Sequence, residues 1–180
     1  TNPLLPSYLV GFASRDSLIL EFSPTMISLI LAGKVGSSIA SEIGSMRVSE
    51  QIDALEIMGV NSASFLILPK IIASLFFFPC LVILSMAIGM IGAWVGGLSV
   101  DVTTSDFLYG LQYEFIPFYI TYAIIKTLFF AFLVSSISSY FGYHSKGGAI
   151  SVGKSSTEAV VYSSIFILVF NFILTKIILA

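Results

Sequence analysis

Charged side chains are scarce in this chain of 180 residues. Lysine, arginine, aspartate and glutamate together make up 10% of the sequence, whereas hydrophobic residues make up 57%. A soluble domain usually carries about 25% charged residues, so this composition excludes an ordinary water-soluble domain. The mean hydropathy of +1.01 agrees with that exclusion. The formal net charge of -2 says little about partners, since what matters in a membrane protein is where the charges lie. We predict no nucleic-acid partner.

Cysteine and histidine are nearly absent, and this removes several kinds of site. Cys80 is the single cysteine, so we expect no internal disulfide and a small side chain in the core. His144 is the single histidine, so a metal site with two histidines cannot be built. The Gly-x-Ser-x-Gly and Gly-x-Gly-x-x-Gly patterns do not occur either. We therefore predict no metal, no resident cofactor and no catalytic residue.

Long runs without charge are what the sequence has instead. Residues 71–100 contain no charged side chain, residues 115–143 contain only Lys126, and residues 159–175 contain none. About 20 apolar residues suffice to cross a hydrocarbon layer about 30 Å thick. We predict an all-α integral membrane protein with about four transmembrane helices. The predicted spans are 18–44, 66–97, 115–143 and 157–179, in one membrane-spanning domain over residues 1–180.

Basic residues in the connections predict the orientation of these spans. The connection over residues 98–114 contains acidic residues and no basic one. The segment 45–69 and its flanks hold Lys34, Arg47 and Lys70, and the loop 144–156 adds Lys146 and Lys154. By the positive-inside rule, the segment 45–69 and the loop 144–156 are cytoplasmic, and 98–114 is external. Residues 1 and 180 are then external too, with Lys176 counted as the one exception.

The segment 45–69 contains a candidate amphipathic helix over residues 48–58. At about 100° per residue, its apolar and acidic side chains fall on opposite arcs. The apolar arc holds Val48, Ile52, Leu55 and Met58, and the acidic arc holds Glu50, Asp53 and Glu56. Gly59 is expected to end the helix, which at about 16 Å is too short to span a membrane. The pattern favours a helix that docks on a soluble partner, and a helix lying passively at the membrane interface is the alternative.

Small residues recur every four positions in the first span. Ala32, Gly36, Ala40 and Gly44 form one row, and Gly33 begins a second row beside it. Such a surface lets another helix approach closely, so we predict helix packing there. An alternative is that these smooth faces slide apart to admit a bulky substrate.

Two of the charges inside the predicted spans, Glu21 and Lys126, are candidates for a function because a charge there requires a partner. Glu21, followed by Pro24, lies near the outer end of the first span, and Lys126 lies in the third. An unpaired charge at the bilayer centre costs about 3 kcal/mol or more. Both residues are candidates for a polar pathway; alternatively, Glu21 lies at the interface and Lys126 reaches the interface or forms a pair. Asn171, in the last span, is predicted to form a hydrogen bond between helices.

The segment from Gly148 to Ser155 matches the phosphate-binding pattern Gly-x-x-x-x-Gly-Lys-Ser. The pattern binds nucleotide only where a buried strand leads into the loop and a helix leaves it in an α/β domain. Here the segment joins two spans, so we predict that it binds no nucleotide. Ser155 and Glu158 are instead predicted to form a capping box that starts the last helix.

Two segments of the sequence carry a family resemblance. Glu21-Phe-Ser-Pro24, followed by the run from Leu31 to Gly59, resembles the MlaE family of permeases. That family serves Mla and Mce-type lipid transport systems in bacteria and the related TGD system of chloroplasts. Within the run, Asp53-Ala-Leu-x-x-x-Gly59 is similar to the loop by which ABC importer permeases dock onto their ATPases. The resemblance resumes in residues 159–175 and so covers essentially all of the chain.

The sequence departs from the family pattern at three places. Leu20 stands where the family has an arginine before the glutamate, and Asn171 stands where the last helix has an aspartate. The N-terminal interfacial helix and first span of the family have no counterpart. Since Thr1 is not a methionine, we expect that the chain is a fragment of a longer protein.

The resemblance implies a non-catalytic ABC permease that forms a homodimer in the bacterial inner membrane, or, as a less favoured site, the chloroplast inner envelope. It implies transport of phospholipid to or from an external MCE-domain protein of the MlaD type. ATP and Mg²⁺ are then bound by a separate MlaF-like ATPase, and an MlaB-like STAS-domain protein is a further partner. A secondary transporter or channel that is not coupled to ATP is the alternative.

The resemblance and the patterns together give three groups of candidate residues. Coupling to the ATPase is assigned to Glu50, Ile52, Asp53, Ala54, Leu55, Met58 and Gly59. The lipid pathway is assigned to Glu21, Pro24 and Lys126. Helix packing is assigned to Ala32, Gly33, Gly36, Ala40 and Gly44.

Overall fold

A computed structural model describes residues 6–179. All regular elements in that range are helices, because a backbone inside lipid must satisfy its own hydrogen bonds. In chain order they are α1 (Tyr8–Val48), α2 (Gln51–Ile57), α3 (Ser62–Leu98), α4 (Thr104–Gln112), α5 (Phe118–Tyr143) and α6 (Ala149–Leu179). The helices α1, α3, α5 and α6 are long and apolar enough to cross a membrane. The predicted all-α membrane fold is therefore confirmed. Residues 1 and 180, whose side of the membrane was predicted, lie outside the described range.

Helix α1 begins ten residues before the predicted span and contains two π-helical segments. They are Leu18–Met26 and Ala32–Gly36. Pro24 lies in the first segment, and proline has no N–H to donate to the carbonyl one turn earlier. A wider turn is one way in which a helix accommodates such an interruption, and π-helical turns often mark functional positions. The irregular part of α1 includes Glu21.

The last helix also begins earlier than predicted. Because α6 starts at Ala149, the connection from α5 is 144–148 and not 144–156. Ser155 lies within α6, where its Oγ is 3.2 Å from Ser145 Oγ, so the predicted capping box is wrong. Most of the Gly-x-x-x-x-Gly-Lys-Ser pattern is consequently helical and cannot form a loop around a phosphate.

Helix α5 lies at the centre of the bundle. The main buried cluster takes Ala32 from α1, Phe78 from α3, Phe130 from α5 and Ile167 from α6. Helices α3 and α6 bury only one side each, and many of their large apolar side chains face outward, as expected for a bundle surrounded by lipid. Cys80 is on this exposed surface of α3, so its predicted place in the core is wrong.

Small residues allow α1 to approach α5 and α6 closely. A Cβ added at Gly36 would lie 2.8 Å from Ser138 Oγ, and one added at Gly142 would lie 2.8 Å from the carbonyl oxygen of Ala40. Ala32 is fully buried in the same row, and Gly44 is buried against α5 and α6. Gly33 differs, since a Cβ there would meet nothing within 4 Å.

Helix α4 was not predicted, and it packs against the first turns of α1. Thr103 caps it by accepting a hydrogen bond of 3.2 Å from the Asp106 N–H. Arg15, which is 3% exposed, donates to the carbonyl oxygens of Leu111 at 2.8 Å and Tyr113 at 2.9 Å. Arg15 is thus a second basic residue on the predicted external side, and the count of exceptions to the positive-inside rule was too low. It binds the free carbonyls at the end of α4.

We predict that Gly110→Ala destabilises the contact between α4 and α1. A Cβ at Gly110 would overlap the carbonyl oxygen of Tyr8, which belongs to a backbone that cannot rotate away. Overpacking of this kind costs about 1–3 kcal/mol, so the thermal unfolding midpoint in detergent should fall. Gly96→Ala is the matched control, because a Cβ there would meet nothing within 4 Å. An equal midpoint for both variants would contradict the described packing.

Candidate functional site

An ion pair between two spans forms the centre of a buried polar cluster. Lys126 Nζ of α5 lies 2.9 Å from Glu21 Oε1 of α1. The Lys126 side chain is fully buried, whereas the Glu21 side chain is 41% exposed. Of the predicted alternatives for Lys126, the structure therefore has it paired. Pro24, also assigned to the pathway, is buried three residues further along α1.

The three protons of the Lys126 ammonium group all have acceptors. Besides Glu21, the group lies 3.1 Å from the carbonyl oxygen of Leu20 and 3.1 Å from Tyr122 Oη. An ammonium group has three donors and no acceptor, so its hydrogen-bonding capacity is used. This is how a lysine can be buried without an uncompensated charge.

Helix α6 completes the cluster on the other side of Glu21. Asn171 Nδ2 donates to Glu21 Oε2 at 2.9 Å, and Thr175 Oγ1 lies 3.1 Å from Glu21 Oε1. The predicted hydrogen bond between helices at Asn171 is therefore confirmed. Leu20 replaces the arginine of the family pattern, and the cation beside Glu21 comes instead from α5. Sequence reasoning selected both charges but had no signal that residues 105 positions apart would meet.

Glu21 is the exposed member of this cluster. Its carboxylate is held by Lys126, Asn171 and Thr175, and its side chain remains 41% exposed. A ligand between the spans can contact the cluster through this side chain. Within residues 6–179 no group of three or more histidine, cysteine, aspartate or glutamate side chains could hold a metal ion.

The predicted docking helix is shorter than expected. Helix α2 has seven residues, and Val48 belongs to α1. Glu50 separates the two helices with a φ of 59°, and Gly59 follows α2 with a φ of 80°. Both values lie in the left-handed region that interrupts a helix, which glycine tolerates best. The chain therefore turns sharply on both sides of α2.

The side chains of the predicted apolar arc have different environments. Ile52 is fully buried and packs with Ile39, Ile43 and Leu66, so it anchors α2 to the bundle and cannot reach a partner. The apolar surface that α2 presents comes from Ile57, which is 87% exposed, and Met58, which is 68% exposed. Sequence reasoning did not select Ile57, although its position next to Met58 before Gly59 was a usable signal.

The acidic residues of α2 are also partly engaged within the chain. Asp53 Oδ1 forms a 2.6 Å ion pair with Arg47, and Glu56 Oε1 accepts hydrogen bonds from Ser62 at 2.8 Å and Tyr143 at 3.0 Å. The bonds from Ser62 and Tyr143 lower the pKa of Glu56 below its ordinary value. Of the remaining candidates, Glu50, Ala54 and Gly59 are exposed and Leu55 is partly buried.

The uncovered surface of α1 includes a polar face. Gly33, Lys34 and Ser38 are exposed there, and Lys34 has no ion-pair partner within residues 6–179. An exposed ammonium group in the middle of a span is unfavourable against lipid chains. Ile30, one turn before Lys34, is 64% exposed, so apolar side chains continue this surface.

The described part of the chain has the architecture of a multi-pass helical membrane protein, with a short helix at one end and a charged pair between spans. A family model described as "Permease MlaE" matches residues 2–177. The chain therefore belongs to the MlaE family of permeases.

Curated relatives agree with this assignment. The chain is 42% identical over 161 residues to a probable ABC transporter permease protein of Rickettsia bellii, covering 89% of this chain and 62% of the relative. It is 37% identical over 168 residues to a probable ABC transporter permease protein of Synechocystis, covering 92% of this chain and 64% of that one. It is 35% identical over 165 residues to the protein TRIGALACTOSYLDIACYLGLYCEROL 1, chloroplastic, of Arabidopsis thaliana, covering 87% and 45%. The chain spans about three fifths of the length of the bacterial relatives.

We predict that Lys126→Met destabilises the protein through the charge left on Glu21. Removing one partner of a fully buried pair costs about 3–5 kcal/mol, and because Glu21 is partly exposed we expect about 1–3 kcal/mol here. The double variant Glu21→Gln with Lys126→Met should regain part of the loss, as judged by thermal unfolding in detergent. Lys154→Met is the control, since Lys154 is 79% exposed and 3.8 Å from Glu158. If the double variant were less stable than Lys126→Met alone, the charge left on Glu21 would not be the cause of the destabilisation.

Proposed function

We propose that the chain is the permease part of an ABC transporter that moves phospholipid, driven by a separate ATPase. The observation that carries this proposal is α2: a short helix, fastened to the bundle by Ile52 and presenting Ile57 and Met58 to solvent. Exposed apolar side chains on a rigid helix fit a groove on a soluble partner. The names of the bacterial relatives as probable ABC transporter permeases support an ATPase as that partner.

Nucleotide chemistry is assigned to the partner and not to this chain. ATP and Mg²⁺ would bind to an MlaF-like ATPase, which contacts α2 through Ile57 and Met58 and through the exposed residues Glu50, Ala54 and Gly59. The phosphate-loop pattern of this chain is largely helical, which supports that assignment.

Phospholipid is proposed as the substrate because the bundle combines polar and apolar binding features. The open edge of Glu21 can accept hydrogen bonds from a head group. A cavity of about 440 Å³ between α1 and α3 is lined almost entirely by apolar side chains and could hold an acyl chain. The Arabidopsis relative is named after a galactose-bearing glycerolipid, which agrees with a lipid substrate.

A homodimer is proposed because the polar face of α1 requires a cover. Lys34 would cost about 3 kcal/mol or more if it faced lipid at the centre of the bilayer. A second copy packed around this face would enclose Lys34 and Ser38 in a polar space shared by the two chains. From the resemblance to the MlaE family, we also propose MlaD-like MCE-domain and MlaB-like STAS-domain proteins as partners. The bacterial inner membrane is the proposed location.

We predict that Ile57→Asp abolishes assembly with the ATPase without lowering the stability of the permease. Ile57 is 87% exposed, so the change removes no internal contact. Co-purification in mild detergent, together with ATP hydrolysis by the purified complex, measures the result. Val100→Asp is the control, because Val100 is 53% exposed in the connection at the other end of the bundle. Undiminished assembly of Ile57→Asp would remove α2 as the docking element. If the unaltered permease retained no ATPase, a secondary transporter or channel would become the better interpretation.

We further predict that the double variant Glu21→Gln with Lys126→Met reduces the phospholipid retained by the purified complex while leaving ATPase assembly intact. The double change removes the carboxylate without leaving Lys126 as an uncompensated buried charge, and the site is far from α2 along α1. Extraction and mass spectrometry of bound phospholipid give the measurement. Glu42→Ala is the control, since Glu42 is an exposed acidic residue on α1 paired with Lys70 at 2.6 Å. Equal lipid retention by the two variants would argue against the polar cluster as a lipid site.

A further inference from the structure

The hydroxyl group of Tyr143 joins the last residue of α5 to α2. It lies 3.0 Å from Glu56 Oε1 and 2.9 Å from Ser62 Oγ, and Ser62 itself lies 2.8 Å from the same carboxylate oxygen. Ser62, the first residue of α3, is 2% exposed. Three helices thus meet at one carboxylate. Hydrogen bonds to an ionised group are roughly twice as strong as those between neutral groups.

The ring of Tyr143 makes a second contact with the surroundings of α2. The Arg47 guanidinium group lies 5.5 Å from the centre of the ring, within the range of a cation–π interaction. Arg47 also forms the 2.6 Å ion pair with Asp53. These contacts connect four side chains: α2 is bound to Arg47 through Asp53 and to Tyr143 through Glu56, and Arg47 also contacts the Tyr143 ring. With Ile52 buried beneath it, α2 is thus held to the ends of both α1 and α5.

Helix α5 connects these four side chains directly to the polar cluster. Tyr143 and Lys126 are 17 positions apart on one uninterrupted α-helix, which corresponds to about 25 Å. The other connection, through α1 from Arg47 to Glu21, contains both π-helical segments and Pro24. A regular helix transmits a displacement along its axis with less internal change than an interrupted one. Helix α5 is accordingly the stiffer of the two connections.

We propose that Tyr143 and Glu56 are positioning residues for energy coupling, which fix α2 to α5 so that a displacement of α2 reaches Lys126. This inference rests on the proposed function, since it assumes that an ATPase acts on α2. Neither residue contacts nucleotide or lipid in this scheme. Their role is to make lipid movement depend on ATP hydrolysis.

The test is the number of lipids transferred per ATP hydrolysed by the complete transporter. The full-length permease, with its co-purified partners, is reconstituted in vesicles of phosphatidylethanolamine and phosphatidylglycerol that contain a fluorescent phospholipid. Tyr143→Phe removes the hydroxyl and keeps the ring. We expect it to leave complex assembly and ATP hydrolysis unchanged and to lower the ratio about fivefold or more, as for a lost coupling of ordinary strength. Glu56→Gln is a second variant, expected to lower the ratio in the same direction.

Two comparisons separate positioning from a general structural effect. Tyr140→Phe is the matched control, because Tyr140 lies one turn earlier on α5 and is 58% exposed. The double variant Tyr143→Phe with Glu56→Gln should be no worse than the more affected single variant, since Tyr143→Phe removes the bond that Glu56→Gln weakens.

Several outcomes would overturn the proposal. They are an unchanged ratio in Tyr143→Phe, an equal fall in Tyr140→Phe, or effects that add fully in the double variant. In each of these the unaltered transporter still couples lipid movement to ATP, so the proposed function stands. If the unaltered complex moved no lipid upon ATP hydrolysis, the proposed function and this inference would both be wrong.

Discussion

A charge between membrane spans has to be neutralised where it lies, and the Glu21–Lys126 pair meets this requirement between α1 and α5. The pair contributes to the alignment of α1 with α5, because the ammonium group also reaches the carbonyl of Leu20. Asn171 and Thr175 then align α6 with the same carboxylate. Apolar side chains in lipid have no strong preference for one register, so this polar contact supplies much of the specificity of the packing.

The contact between helices is close enough for this alignment because small residues line it. Gly36 and Gly142 leave no room for a side chain, and Ala40 is fully buried between them. The two ends of α5 therefore have different tasks. One end holds the charged pair, and the other reaches Glu56 on α2, the helix that we propose docks on a soluble partner.

The sequence was sufficient to predict the four spans, because a helix that crosses the hydrocarbon layer has to be long and nearly free of charge. It was also sufficient to select Glu21, Lys126 and Asn171, because polar groups in a span need partners. Which partners they have depends on how distant helices meet, and no local pattern contains that information. Helix α4 was missed because its stability comes from packing on α1 and from Arg15, and not from a long apolar run.

The docking helix shows the same limit. A helical wheel places Ile52 with Met58 on one arc, but it cannot distinguish the side facing the bundle from the side facing solvent. Ile52 was therefore assigned to a partner, although it is buried against Leu66. The left-handed turn at Glu50 also shortened the helix, and nothing in the residue type signalled it.

The hydrogen bonds that Lys126 makes within the protein determine which part of the polar cluster a ligand can reach. Its protons all point to acceptors within the protein, and the ammonium group has no surface of its own. The accessible part of the pair is the Glu21 side chain, which is 41% exposed. A ligand between the spans therefore reaches the acidic partner of the pair and not the basic one.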